Sequence, residues 1–370
     1  MFRKLRTLIE GIVAGANIVT IVLMLLTGFA GYVNPETVAA SVVAGMTFPV
    51  FVAANAVLLV LWLMLRPRLA VIPFLGFIVC YLPIRTYCPL NVSREVPEGA
   101  LKVLSYNVEG LSKKNYPPGD DGFYPALNYV IRQDADIVCL QESNLKPDII
   151  DRMSEHYAYI DSVKPSTGSA CLSLMSKYPI VKKEHIHYPT RANPSAAFYL
   201  LVDGDTVVVV NCHFETNGFT IDERSEFGIM MSAAKARLEE HSTIEMTDTM
   251  RSTTRKLLTK MEEAAAKRAP QARAVARYVD SVKHLPVIVC GDFNDNPLSY
   301  SRRTVARHLT DCYVASANGP GWSFSRYGMR VRIDNILCSK HYKPYRCSVD
   351  KSLVASDHYP ITGYLVRVDD

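Results

Sequence analysis

The nine cysteines of this 370-residue sequence include no CxxC pair and show no other metal-type spacing. Cys139, Cys212, Cys290 and Cys338 lie in apolar, strand-like runs, where cysteine acts as a small hydrophobe more readily than as part of a disulfide framework. Internal repeats and low-complexity tracts are also missing. So is a basic surplus in the body of the chain. The first hundred residues hold seven Lys/Arg against four Asp/Glu, so only +2 of the formal +5 falls on the other 270. A non-specific nucleic-acid binder usually shows a basic face, and this composition supplies no obvious one.

The first hundred residues do contain long runs without charge. Gly11–Val33 spans 23 residues and Thr37–Leu65 spans 29, and roughly 20 apolar residues cross a bilayer core. Leu69–Ile84, uncharged for 16 residues and interrupted by Pro73 and Pro83, reads as a short third span, with an interfacial segment as the alternative. A cleaved signal peptide would have a shorter apolar run and no second span directly behind it. Arg3, Lys4 and Arg6 precede the first span and Arg66 and Arg68 follow the second, while the turn between them holds only Glu36. The positive-inside rule puts both basic clusters in the cytoplasm. Three spans then place everything after Arg85 on the non-cytoplasmic side of the cell membrane, and two would leave it cytoplasmic. The expected organisation is an integral, multi-pass membrane anchor over 1–85, a linker over 86–100 and one large domain over 101–370.

Within that domain, Val287-Ile288-Val289-Cys290 is an apolar run of the kind that forms a strand buried on both faces. It breaks at Gly291 and presents Asp292, Asn294, Asp295 and Asn296 before Pro297. The same pattern recurs. LKVLSYN ends at Asn107, DIVCL runs into Gln141-Glu142, and the β-branched Thr206–Val210 runs into Asn211-Cys212-His213. Val331–Cys338 reads as a strand with Asp334 in its middle, and Ser356-Asp357-His358 precedes a last strand, Ile361–Val366. Between about 217 and 268 a helical insertion with mixed charges interrupts the strands, and Pro270 reads as the start of its final helix. Each polar strand end taken alone has a plain explanation as a turn or a helix cap. Their recurrence in one domain suggests an α/β sandwich with a site along one sheet edge.

The pieces SYNVEG, CLQES, NCHFE, CGDFNDNP, RIDNIL and SDHYPI, in this order, resemble the endonuclease/exonuclease/phosphatase superfamily. The resemblance covers roughly residues 101–370, and the anchor lies outside it. It implies a four-layer α-β-β-α sandwich of the deoxyribonuclease I type and a divalent-metal-dependent phosphoester hydrolase. On that resemblance, Asn107 and Glu142 would hold Mg²⁺ or Mn²⁺ through oxygen, with Asp357 a second metal or leaving-group contact. Asp292 would orient or deprotonate the attacking water. Asn294, His213 and His358 would meet the phosphoryl oxygens, and His358 would be held by Asp334. A lipid headgroup or small phosphoester suits the anchor and the near-neutral domain. A nuclease would need a basic groove, for which Arg302, Arg303, Arg307, Arg326, Arg330 and Arg332 are the candidates. A catalytically silent scaffold working through the insertion is the alternative of another class.

The three-span reading has a direct consequence. Alkaline phosphatase fused after Arg85 is expected to be active, because that enzyme folds only when exported. An inactive fusion beside an active cytoplasmic reporter at the same point would reject the third span.

Overall fold

The computed structural model describes residues 2–165, 167, 170–190, 192–220, 222–223, 225–229, 232, 236, 248–326 and 328–368. The expected insertion is therefore described mainly at its edges, and its middle lies outside the described residues. The N-terminal region expected as an anchor comprises α1 (Phe2–Gly28), α2 (Ser41–Leu65), α3 (Val71–Val79) and α4 (Tyr81–Tyr87). Two of its segments, Arg3–Tyr32 and Ser41–Leu65, are long and apolar enough to cross a membrane. A third candidate, Pro67–Val79 with Tyr81–Tyr87, is bent by 64°. Pro83 lies just beyond that bend and has no N–H to carry the helical hydrogen bonding across it.

An amide pair ties the helices together. Asn17 donates to Asn55 Oδ1 at 3.0 Å, and Asn55 donates to the Pro73 carbonyl at 2.9 Å. In an apolar medium such groups gain most by satisfying one another. At one end of the bundle, Glu10 accepts from both Arg6 and Arg66, at 3.0 and 2.8 Å. The large domain docks at the other end. There Arg273 pairs with Glu36, Arg303 lies over the Tyr32 ring, and the buried Arg332 donates to the carbonyls of Thr86 and Tyr87. The stretch expected as a linker is fastened as well, with Asn91 donating to the Val314 carbonyl at 3.1 Å.

The strands run in chain order as β1 (Leu101–Asn107), β2 (Ile137–Gln141), β3 (Tyr159–Val163), β4 (Leu172–Ser176), β5 (Ile180–His185), β6 (Ser195–Val202) and β7 (Asp205–His213). They continue as β8 (Val287–Asp292), β9 (Thr310–Asp311), β10 (Phe324–Arg326), β11 (Met329–Val331), β12 (Asp334–Cys338), β13 (Tyr342–Val349) and β14 (Ile361–Arg367). One six-stranded sheet has the order β13-β14-β1-β2-β4-β3, the other β5-β6-β7-β8-β12-β9, and β10-β11 is a separate hairpin. Helices α5 (Pro125–Gln133) and α6 (Pro147–Ser154) cover the outer face of the first sheet. Helix α7 (Asp248–Ser281) covers the outer face of the second. Short helices α8 (Tyr300–Val305) and α9 (Cys312–Ser316) complete the domain.

Side-chain alternation explains why these strands are apolar throughout. Val103, Ile137, Cys139, Val209, Ile288 and Cys290 meet between the sheets. Their chain neighbours Leu104, Val138 and Leu140 face α5 and α6, and Val208, Val210, Val287 and Val289 face α7. Both faces of the central strands are thus buried, which is the four-layer α-β-β-α sandwich. All nine cysteines are unpaired, and every one except Cys88 is buried.

Two local expectations need correction. Pro270 lies inside α7 rather than at its start. The face formed by Ala265, Ala269, Ala272, Val275 and Val279 is buried along the helix, and that packing outweighs the lost backbone bond. Asp334 opens β12 instead of sitting mid-strand, because the N–H groups of Ile333 and Asp334 both turn to Ser323 Oγ at 3.0 Å.

Gly291 is the tightest point of the second sheet. Its φ is +139°, and a Cβ there would lie 1.9 Å from the Cys212 carbonyl oxygen on β7. Gly291→Ala is expected to cost more than about 2 kcal/mol, through both the backbone conformation and the clash. Chemical unfolding of the full chain in detergent reads this loss. An unchanged midpoint would mean that β7 and β8 are not in this register.

Candidate active site

Strand register builds the site. In the second sheet His213 is paired with Asp292 across the parallel β7–β8 ladder, and Asp334 with Asp292 across the antiparallel β8–β12 ladder. In the first sheet Asn107 is paired with Gln141 at the ends of β1 and β2, and Glu142 follows directly. The polar ends of the two sheets lie side by side. Asn107 Nδ2 donates to Asp292 Oδ2 at 3.0 Å across the sandwich and to Glu142 Oε1 at 3.1 Å. Behind them Gln141 Nε2 donates to Asn211 Oδ1 at 2.7 Å, a second buried link between the sheets.

All eight side chains expected in the site are brought together. Asn294 donates its backbone N–H to Asp292 Oδ1 at 2.8 Å and its amide to Asp292 Oδ2 at 3.2 Å. His213 Nε2 stands 3.4 Å from Glu142 Oε1. His358 Nδ1 lies 2.9 Å from Asp334 Oδ2, and its Nε2 faces Asp292 Oδ2 at 3.6 Å and Asp357 Oδ1 at 4.0 Å. Asn107, His213, Asp292 and Asp334 are at most 1 % exposed, whereas the Glu142 side chain is 31 % exposed. Glu142 and Asn294 both have φ of +52°, a left-handed conformation uncommon outside glycine and one often found at functional sites.

Burying so many charges shifts their protonation. Burial pushes Asp292 up to about 6 and neighbouring Asp334 adds to the rise, while the facing His358 opposes it. Burial alone would pull His358 down, but the Asp334 and Asp292 carboxylates outweigh it and hold the imidazole well above its ordinary range. The Asp334–His358–Asp292 row is therefore an imidazolium between two carboxylates.

Two donor sets could hold a cation. Asp292, Asp334 and His358 offer atoms within 4.8 Å of one another, but His358 Nδ1 is engaged by Asp334. Glu142 with Asn107 is the more open set, and its oxygen chemistry suits a hard divalent ion. Asn107 presents Nδ2 to the carboxylates, and its Oδ1 accepts from the Glu109 N–H at 3.1 Å. Offering the oxygen to a cation takes half a turn of the amide, in exchange for its bonds to Asp292, Glu142 and the Glu109 N–H.

The site also contains residues that motif reasoning did not single out. Glu109, within SYNVEG, accepts from Arg326, and Arg326 also donates to Asp357 Oδ2 at 3.3 Å. Arg268 on α7 is 1 % exposed, pairs with Asp295 at 3.3 Å and donates to the Glu215 carbonyl at 3.0 Å. The only signal for Arg268 was a cation on the apolar side of a helix. The six arginines proposed for a nucleic-acid groove do not share one. Arg332 is buried, while Arg302, paired with Asp311, lines a separate cleft beside Tyr32 with Arg303 and Arg307. Arg330 lines the cavity above the carboxylates, and Arg326 is bound to Asp357 at its floor. That cavity has a volume of about 350 Å³.

Removing the Asp334 charge is expected to lower the His358 pKa. The imidazolium gains from each facing carboxylate, so with one neutralised it loses its proton at lower pH. A histidine-selective NMR titration of Asp334→Asn against the parent chain measures this. An unmoved His358 resonance would reject the pairing.

Solved structures are similar in fold. The human nocturnin catalytic domain, solved with bound sulfate, superposes with a TM-score of 0.50 at 15 % identity, over 74 % of this chain and 97 % of that one. An endonuclease/exonuclease/phosphatase from Beutenbergia cavernae gives 0.49 at 18 %, over 72 % of each chain. The mannosyl-6-phosphatase of Bacteroides thetaiotaomicron gives 0.46 at 18 %, over 72 % and 99 %. No curated protein matches the chain. Residues 10–87, which carry the N-terminal helices, match a domain family of unknown function (DUF8431). Residues 104–358, from β1 to His358, match the Endonuclease/Exonuclease/phosphatase family, and the chain belongs to it.

Proposed function

We propose that this chain is a membrane-anchored, divalent-metal-dependent phosphoester hydrolase whose catalytic domain faces away from the cytoplasm. The observation that carries the reading is the convergence of Asn107, Glu142, His213, Asp292, Asn294, Asp334, Asp357 and His358 in one network of contacts no longer than 4.0 Å. The domain's position supports the topology. It docks at the end of the helical bundle opposite Arg6 and Arg66, the basic end that the positive-inside rule keeps in the cytoplasm.

Mg²⁺ or Mn²⁺, when bound, supplies neutralisation of a non-bridging phosphoryl oxygen. Glu142 and Asn107 would hold it. Asp292, aligned by Asn294 and Asn107, takes a proton from the attacking water, and its pKa of about 6 leaves it ionised and basic at neutral pH. His358, kept cationic by Asp334, presents Nε2 to the phosphoryl group as a fixed positive charge. His213 and Asn294 donate to the remaining oxygens, and Asp357, braced by Arg326, acts at the leaving-group side.

A lipid headgroup or small phosphoester fits the scattered arginines better than a nucleic acid does, since a polyanion needs a continuous cationic track. A silent scaffold fits poorly, because every catalytic position keeps the residue type the chemistry uses. Full chain with Mg²⁺ or Mn²⁺ is expected to hydrolyse bis-p-nitrophenyl phosphate or p-nitrophenyl phosphate. Glu142→Gln should lower that turnover at least about a hundredfold without changing the unfolding midpoint. Equal turnover in the folded variant would remove Glu142 from the site.

A further inference from the structure

The cavity above the carboxylates changes character along its length. Its floor carries Glu142, Asp292, Asp357 and His358. Its wall carries Val42 and Met46 from the first two turns of α2, Phe219, Phe227 and Met261 from the insertion, and Met329 from the β10–β11 hairpin. Three parts of the chain distant in sequence thus contribute aliphatic, aromatic and thioether groups beside a row of buried charges. Thr216, Asn217, Arg268, Asp295 and Arg330 also line the cavity, so its lining is mixed, and the apolar set is the part that a small polar phosphoester would leave uncovered. Methionine is the side chain best suited to flexible hydrocarbon, because it is unbranched and polarisable.

The contribution of α2 gives the wall its meaning. Val42 and Met46 belong to the segment Ser41–Leu65, which is apolar enough to cross a membrane, and Met46 is 43 % exposed. The loop after β8 rests on this helix, with Asn296 Oδ1 3.6 Å from where a Cβ on Gly45 would stand. The floor of the site and the edge of the bilayer segment are therefore in contact.

We propose that this wall is a subsite for the hydrocarbon part of an amphiphilic phosphoester, which enters along α2 from the membrane with its phosphoryl group over Glu142 and Asp292. The proposal rests on the hydrolase reading above. The anchor then forms part of the substrate site and is more than a tether.

The test uses the full chain in nanodiscs with Mn²⁺ and a series of p-nitrophenyl alkyl phosphate diesters from methyl to octyl. Each buried methylene is worth about fourfold in binding, so kcat/KM should rise at least tenfold from methyl to octyl even with half of the chain buried. Met46→Asn and, separately, Met261→Ser should cut the octyl-to-methyl ratio several-fold, while Met46→Leu keeps it. Partitioning into the disc acts on all proteins alike, so the comparison between variants isolates the pocket. A ratio unchanged in both polar variants would overturn the subsite and leave the hydrolase reading intact. No turnover of any ester, methyl included, would overturn both.

Discussion

The hydrogen bond from Asn107 on the first sheet to Asp292 on the second joins the two halves of the site. Every other catalytic-type group is positioned from one side or the other of that bond. Glu142 is reached from the Asn107 side, whereas His213, Asp334 and Asn294 are fixed around Asp292 by strand register and loop geometry. The Gln141–Asn211 link one layer deeper fixes how the sheets face each other, so the upper contact forms without further adjustment. Two sheets packed only by aliphatic side chains could slide by a fraction of a residue at little cost. Buried amides with directional bonds cannot, because a slip would leave them unsatisfied.

The same burial that orders the site makes it electrostatically demanding. Asp292 and Asp334 sit out of water beside each other, an arrangement that raises the Asp292 pKa. His358 between them supplies the compensating charge, and its own desolvation is outweighed by theirs. Oxygen donors, a partly exposed Glu142 and unusual backbone conformations at Glu142 and Asn294 belong to the same pattern. Stability is given up locally for a preorganised arrangement of charge, and the four-layer core around it carries the loss.

The anchor is integrated with the domain. Arg332, read from sequence as a groove cation, is instead a buried fastener whose guanidinium holds the carbonyls at the end of α4. Arg273 and Arg303 reach the α1–α2 hairpin at Glu36 and Tyr32. These contacts fix the cavity relative to α2, which lets a helix long and apolar enough to cross a membrane contribute to its wall.

The sequence by itself determined the strands and their polar ends. An apolar run must be buried, and a carboxylate or imidazole at its end must lie at a sheet edge, so Asn107, Glu142, His213, Asp292 and His358 were legible from local pattern. The apolar runs of the anchor were legible for the same reason. Only the tertiary structure decided which ends meet and what else joins them. Arg268, Glu109 and the six arginines could not be assigned locally, because a long cation serves a salt bridge, a carbonyl cap or a ligand equally well. The meeting of Val42 and Met46 with Met261 and Met329 depends on packing between segments more than two hundred residues apart in the sequence. Local periodicity carries no information about that distance.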